Sequence, residues 1–121
     1  MAALNAASIA YAIQNIVLDG LPPRYHSVVD LTLGDGSSTY PTGGVPITAT
    51  SLGLPQGQII SFAVLEQTGG VVTAPVANYN PTANKLQFFV ASTSGTNQHL
   101  TEATTAYAPA AMTLRCEAIG Y

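Results

Sequence analysis

Hydrophobic and polar residues alternate along two stretches of the chain. In residues 25–33 the apolar side chains share one face: Tyr25, Val29, Leu31 and Leu33. The polar ones take the other: His26, Asp30 and Thr32. In residues 112–119 the inward set is Met112, Leu114, Cys116 and Ala118, and the outward set is Thr113, Arg115 and Glu117. A period of two residues is typical of a half-buried antiparallel strand, so we predict a strand in each stretch.

Two further stretches, residues 59–65 and 86–90, are more continuously apolar. A strand whose two faces are both covered has no need of alternation, so these stretches are predicted to be central strands. Residues 101–105 are rich in threonine and predict a short strand.

Turn residues separate these runs at the spacing expected of a β-sandwich. Residues 34–36 end the strand at 25–33, and residues 68–70 predict a hairpin that joins a strand at 59–66 to one at 71–76. Residues 80–84 predict a second hairpin, in which Pro81 presets φ and Asn84 tolerates a left-handed backbone. A polar loop is expected at residues 92–98.

The N-terminal part of the chain fits two patterns. Helical spacing is satisfied by Ile9, Ile13, Ile16 and Val17, with Gly20 as a stop. Strand alternation is satisfied as well, by Ile9, Tyr11, Ile13 and Val17, and we favour the strand because a helix here has almost no charged outer face. A docking arm within residues 1–20 stays open, and residues 48–54 predict one helical turn. The expected fold is all-β: one antiparallel, jelly-roll-like β-sandwich domain over residues 1–121, with about eight strands and little helix.

Charge is scarce in this chain. The 121 residues include three basic and six acidic ones, and the net charge is −3. Typical domains carry charge on about a quarter of their residues. A surface with few charges is inexpensive to desolvate, so the composition predicts a part that neighbouring proteins cover.

The same numbers exclude several partners. The three basic residues, Arg24, Lys85 and Arg115, are far apart in the sequence, which speaks against nucleic acid. No apolar run approaches the roughly 20 residues of a membrane helix. The N-terminus has no positively charged start and its apolar run is interrupted, so we predict no signal peptide.

The chemistry-bearing residues form no catalytic pattern. The only histidines are His26 and His99, and adjacent residues of a strand point to opposite faces, so His26 cannot meet Ser27 directly. Cys116 is assigned to the core, and Asp35 is interpreted as a turn residue in preference to a calcium ligand. The acids are scattered: Asp19, Asp30, Asp35, Glu66, Glu102 and Glu117. We therefore expect no enzyme, no metal and no cofactor.

Tyrosines near predicted loops are the better signal. A tyrosine ring combines apolar area with a polar tip, which suits protein interfaces. The alternative is that these rings plug the ends of the sandwich. Candidate partner-contact residues are Tyr40, Pro41, Thr42, Gly43, Gly44, Tyr79, Tyr107 and Tyr121.

The order of the turn motifs resembles that of head decoration (cement) proteins, small virion proteins of tailed bacteriophages. The resemblance runs from Tyr25 to the C-terminus. It depends on residues 40–48 (YPTGGVPIT), 52–54 (LGL), 79–86 (YNPTANKL) and the terminal strand that ends at residues 118–120 (AIG). It implies a β-sandwich that binds outside an assembled shell and bridges neighbouring major capsid proteins.

The resemblance also implies a homo-oligomer, with a trimer favoured and a dimer possible, and carries no catalytic residue. The expected location is the outer surface of the phage head, after synthesis in the bacterial host cytoplasm. Alternatives are another virion part, such as a tail or fibre component, or a small carbohydrate-binding or adhesion module.

Overall fold

A computed structural model of the chain describes residues 3–5, 8–20, 23–69, 75–91, 100–105 and 107–121. The first four strands are β1 (Ala10–Asp19), β2 (Arg24–Leu33), β3 (Val45–Pro46) and β4 (Ile59–Gly69). The other four are β5 (Val76–Asn80), β6 (Lys85–Ala91), β7 (Leu100–Glu102) and β8 (Met112–Gly120). A 3₁₀ turn, Ala49–Leu52, follows β3.

The strands form two antiparallel sheets of four strands each. In the first sheet the order is β1-β2-β8-β4, so β1 and β4 are its edges. In the second sheet β6 is central, with β5 along one edge, while β3 and β7 share the other edge. These sheets confirm the predicted all-β, antiparallel architecture. The jelly-roll pattern of connections stays a prediction.

The core lies between the two sheets, and the alternating strands supply most of it. The predicted inward residues of β2 and β8 are buried, Tyr25 partly, and Ser27 also faces the interior, with 0% exposure. From the second sheet come Val45, Leu86 and Phe88, all fully buried. The period of two residues in β2 and β8 was therefore a correct guide to their buried faces, including the face of Cys116.

The prediction that residues 59–65 form a central strand is wrong. β4 is an edge strand, and its register against β8 is irregular between Ile59 and Ser61 and between Val64 and Glu66. The extra residues at these two β-bulges are Ile60 and Leu65, which are exposed. A bulge adds one residue to a strand while the residues on either side keep their inward or outward positions. The added apolar residues make the sequence of β4 look continuously apolar, although its outer face is exposed to solvent. For β6 the central placement is confirmed.

The two predicted hairpins have different outcomes. β4 extends through Thr68 to Gly69 and pairs with β8, whereas β5 pairs with β6, so β4 and β5 belong to different sheets. The hairpin predicted at residues 68–70 is therefore wrong, and residues 71–74 of its second strand lie outside the described residues. The hairpin at residues 80–84 is confirmed, and Asn84 has φ 56° as expected. The loop predicted at residues 92–98 lies outside the described residues.

Three smaller predictions are settled by the structure. Residues 10–19 are a strand, so the strand interpretation is confirmed over the helix. The helical turn expected within residues 48–54 is the 3₁₀ turn, which ends at Gly53 with a left-handed φ of 88°. The threonine-rich strand is shorter than predicted, because β7 ends at Glu102.

Candidate interaction surfaces

The residue run 41–44 forms a tight turn beside the second sheet. The backbone N–H of Gly44 donates to the Pro41 carbonyl at 3.1 Å, and Thr42 at the tip is exposed. Gly43 has φ +82°, a conformation that glycine adopts without a steric penalty. At Gly44 a Cβ would lie 2.6 Å from the carbonyl oxygen of Leu86, so this glycine allows β3 to approach β6.

The turn of the β5–β6 hairpin is hydrogen-bonded to the same region through its last residue, Asn84. The side-chain amide of Asn84 donates to the Ile47 carbonyl at 3.2 Å, and the Ile47 N–H donates to the Asn84 carbonyl at 3.3 Å. The hydroxyl of Tyr79 donates to Oδ1 of Asn84 at 2.7 Å, and its ring packs on Phe62 of β4. The predicted contact residues 41–44 and Tyr79 are thereby connected through β3 and the hairpin.

Tyr40 requires a correction. Its ring is 1% exposed and packs on Phe88, so it fills the core and offers a partner almost no surface. The hydroxyl donates to the Glu102 carboxylate at 2.6 Å and accepts from the Phe88 N–H at 3.4 Å. Burial raises the pKa of Tyr40, and the hydrogen bond to Glu102 adds to the effect. For this ring the plugging alternative holds, and the interface prediction is wrong.

Tyr107 and Tyr121 are half-buried and lie apart from one another. The carbonyl of Tyr107 accepts from the Tyr40 N–H at 2.7 Å, which places it behind the 41–44 turn. The carbonyl of Tyr121 accepts from the N–H groups of Gln56 and Gln58, both at 3.2 Å. Contact roles for these two residues stay predictions.

Three charged residues of the first sheet, Asp30, Arg115 and Glu66, lie together on its outer face. Nε and Nη2 of Arg115 bond the two carboxylate oxygens of Asp30 at 2.8 and 2.9 Å, and Glu66 is opposite Arg115 in the register. The hydrogen bond from Arg115 lowers the pKa of Asp30. These three residues, with Thr68 and Thr113, line a shallow depression of about 170 Å³.

The other residues considered for catalysis or metal binding are Asp35, Cys116, His26 and His99. Oδ1 of Asp35 accepts the N–H groups of Ser37 and Ser38 at 2.8 and 2.6 Å, which lowers its pKa and closes the turn after β2. Burial raises the pKa of the Cys116 thiol to about 12. His26 lies on the outer face of β2, opposite Ile119, and His99 lies outside the described residues. Within the described ranges no three His, Cys, Asp or Glu residues are close enough to hold a metal ion.

Strand β1 carries a surface that sequence analysis missed. Ile13, Ile16, Val17 and Leu18 are 45%, 40%, 51% and 57% exposed. Three of them sit opposite inward-facing β2 residues: Ile13 opposite Val29, Ile16 opposite Ser27 and Leu18 opposite Tyr25. Of the residues whose alternation predicted this strand, Ile9 is buried and Tyr11 packs against the core, whereas Ile13 is exposed. Val17 pairs with His26 on the outer face, because the register shifts between Ile13 and Asn15, and that shift has no local sequence signal.

Comparison with known proteins adds no relative: no family model, curated protein or solved structure matches this chain. In the described part of the chain, no helix is long and apolar enough to cross a membrane.

Proposed function

We propose that this protein is a structural subunit of a phage particle, a head decoration protein that bridges neighbouring major capsid proteins on the outer surface of the shell. One observation carries the proposal. The chain has only nine charged residues, yet among the described residues eight large apolar side chains are 40–57% exposed. Such a surface is suited to being covered by other proteins, because desolvating it costs little and buries apolar area.

The contacts of the ionisable groups support a structural role over an enzymatic one. Asp30 is engaged by Arg115, Asp35 by a turn, and Glu102 by the hydroxyl of Tyr40. Asp30 and Glu102 each join two segments that are distant in the sequence, and Asp35 closes its own turn. The thiol of Cys116 is buried and has a raised pKa, which disfavours the reactive thiolate.

Within this low-charge surface we assign the 41–44 turn and the β5–β6 hairpin to the shell. Of the exposed large apolar side chains in the described residues, only Val76 belongs to these elements, at the start of β5, so their selection depends on their rigidity and neutral side chains. The turn is closed by its own Gly44–Pro41 hydrogen bond and leads into β3, which pairs with β6, while the hairpin is a paired ladder, so both lose little conformational entropy when a partner binds. Thr42 and Thr82 are exposed there, and Lys85 lies beside Gly43 with its Nζ 3.7 Å from the position of a Cβ. Repetition over a shell multiplies such modest contacts.

Co-sedimentation with the expanded shells of the particle that encodes this chain tests the proposal. We expect the wild-type protein to pellet with shells, to raise their melting temperature and to leave DNA unbound. Thr42→Glu should weaken shell binding by roughly tenfold, because the partner must then desolvate an added carboxylate at the tip of the turn. Thr50→Glu, at an exposed position in the 3₁₀ turn, is the matched control and should bind as the wild type does.

A backbone variant gives a second test of the same surface. Gly43→Val forces a branched residue into φ +82°, but its Cβ would meet only the end of the Lys85 side chain. The turn should deform while the sandwich stays folded, as circular dichroism would report. Unchanged shell binding by a folded Gly43→Val protein would remove the turn from the interface, and no shell binding by wild type would refute the function. A ligand-dependent signal on a glycan array would favour the carbohydrate-binding alternative instead.

A further inference from the structure

The outer edge of β1 has no partner strand within the described structure. β1 is ten residues long and pairs only with β2, so no described strand covers its other edge; within β1 the side-chain amide of Gln14 donates to the Ala12 carbonyl at 3.3 Å. None of the residues 10–18 is charged, and none is buried. Long, uncharged edge strands are templates for pairing with another chain, and proteins that must stay monomeric block them with charges, prolines or bulges.

The inner face of the second half of β1 is only partly covered. Ile16 and Leu18 point to the side of the sheet that carries the core, because they pair with Ser27 and Tyr25. Beneath this part of β1 lies the 3₁₀ turn with Gly53, where a Cβ would be 2.5 Å from Cδ1 of Ile16. Leu18 extends past this cover and is 57% exposed.

We propose that β1 pairs antiparallel with β1 of a second copy about a two-fold axis, which makes one continuous sheet of eight strands across the dimer. A second copy fits because the strand tolerates its own charge: Asp19 is the one charged residue of β1, and a two-fold axis at Val17 sets it opposite the neutral Asn15 of the other copy. The pairing is independent of the shell and is measured without it.

The register of this pairing follows from the faces of the strand. Residues directly opposite in an antiparallel pair lie on the same face of the sheet. The two-fold axis must therefore lie at the position of one residue, which is then opposite the same residue of the other copy. The register irregularity between Ile13 and Asn15 excludes the first half of β1. An axis at Val17 sets Ile16 of each copy opposite Leu18 of the other, so the two exposed apolar side chains cover each other.

The opposite edge of the sheet explains why a closed dimer forms and not a fibre. Pairing of β1 with β4 of another copy would repeat without end, but β4 contains two bulges and Glu66. The short β1 contact is smaller than a standard interface, so we expect a weak dimer with a dissociation constant in the micromolar range. A two-fold contact differs from the trimer that the family resemblance favours.

Disulfide cross-linking at the axis is the first test. Directly opposite Cα atoms in antiparallel strands are about 4.5 or 5.5 Å apart, and both distances allow a disulfide. Val17→Cys should therefore give mostly disulfide-linked dimer under mild oxidation. Ile60→Cys is the matched control, since Ile60 is equally exposed at 51% but lies in a bulge of β4. The native Cys116 is 1% exposed and should not link in the wild type.

Sedimentation equilibrium from low to high micromolar concentration is the second test. Val17→Lys puts two ammonium groups opposite each other at the axis and should raise the dimer dissociation constant roughly tenfold or more. Ile60→Lys should leave it unchanged, and unchanged thermal melting in dilute solution shows that both variants fold. The proposal is overturned if the wild type stays monomeric, if Val17→Lys dimerises normally, or if Val17→Cys links no faster than Ile60→Cys. Binding of an extended shell-protein peptide to β1 of a monomeric wild type would also overturn it.

Discussion

The first sheet has two long edge strands, β1 and β4. Each has one backbone edge without a neighbouring strand in the described part of the chain, and the two strands differ in how that edge is protected. β4 has 11 residues, two bulges and Glu66, and its inward ring Phe62 packs against Tyr79 of the second sheet with the ring centroids 4.9 Å apart. β1 has ten residues and one irregularity, and its one charged residue, Asp19, is the last of the strand. Both edges expose large apolar side chains, so hydrophobicity alone does not distinguish them.

The two edges differ in how regular the strand is and in how far other elements cover its side chains. In β4 the exposed apolar residues Ile60 and Leu65 are the extra residues of bulges, where a regular ladder with another strand is disrupted. In β1 the exposed residues Ile16, Val17 and Leu18 are consecutive and follow the irregular position. One edge is closed to further pairing, and the other is open to it.

The largest expected effect tests how firmly each edge is held to the rest of the fold. Phe62→Ala removes the ring that joins β4 to β5, and we expect a loss of about 2 kcal/mol in unfolding free energy. Ile16→Ala in β1 should lower the unfolding free energy by about 1 kcal/mol, because Ile16 is already 40% exposed. Chemical denaturation in dilute solution, where self-association is negligible, measures both. Equal losses would show that β1 is as firmly covered as β4.

A smaller effect is expected from acid. Arg115 lowers the pKa of Asp30 below its ordinary value of 3.8, so the pair stabilises the fold above that value. This contribution is lost as the pH falls through the lowered pKa of the folded state. The pair lies on the two central strands of the first sheet, between Ala12 of β1 and Glu66 of β4 in the same row of side chains.

We therefore expect the melting temperature to fall between pH 5 and pH 2. In Asp30→Asn the fall should be shallower. The pair is on the surface, and such pairs contribute little, so the difference should be small. Identical pH profiles for the two proteins would mean that the Asp30–Arg115 bridge contributes nothing in solution.

Local patterns predicted much of this fold. Strands β2 and β8 were predictable because each has one buried and one wet face, which gives strict alternation. The hairpin at residues 80–84 was predictable because proline and asparagine determine its turn. Strand β4 was misplaced because bulge residues interrupt the alternation, and pairing with β8 depends on residues far along the chain.

The candidate interaction surfaces were harder to predict from the sequence than the strands were. Tyr40 resembles a loop tyrosine until Glu102, 62 positions away, is brought to its hydroxyl at 2.6 Å. The open face of β1 depends on how far the second sheet and the 3₁₀ turn extend beneath it. Both are consequences of tertiary packing, and neither changes the local pattern of apolar residues.

Hydrogen exchange as a function of protein concentration tests the difference between the two edges most directly. Amides of β1 that point away from β2 should exchange rapidly in dilute protein and become protected at high micromolar concentration, whereas exchange in β4 should not change. Protection in β1 that is independent of concentration, or protection that increases equally in β1 and β4, would contradict the account.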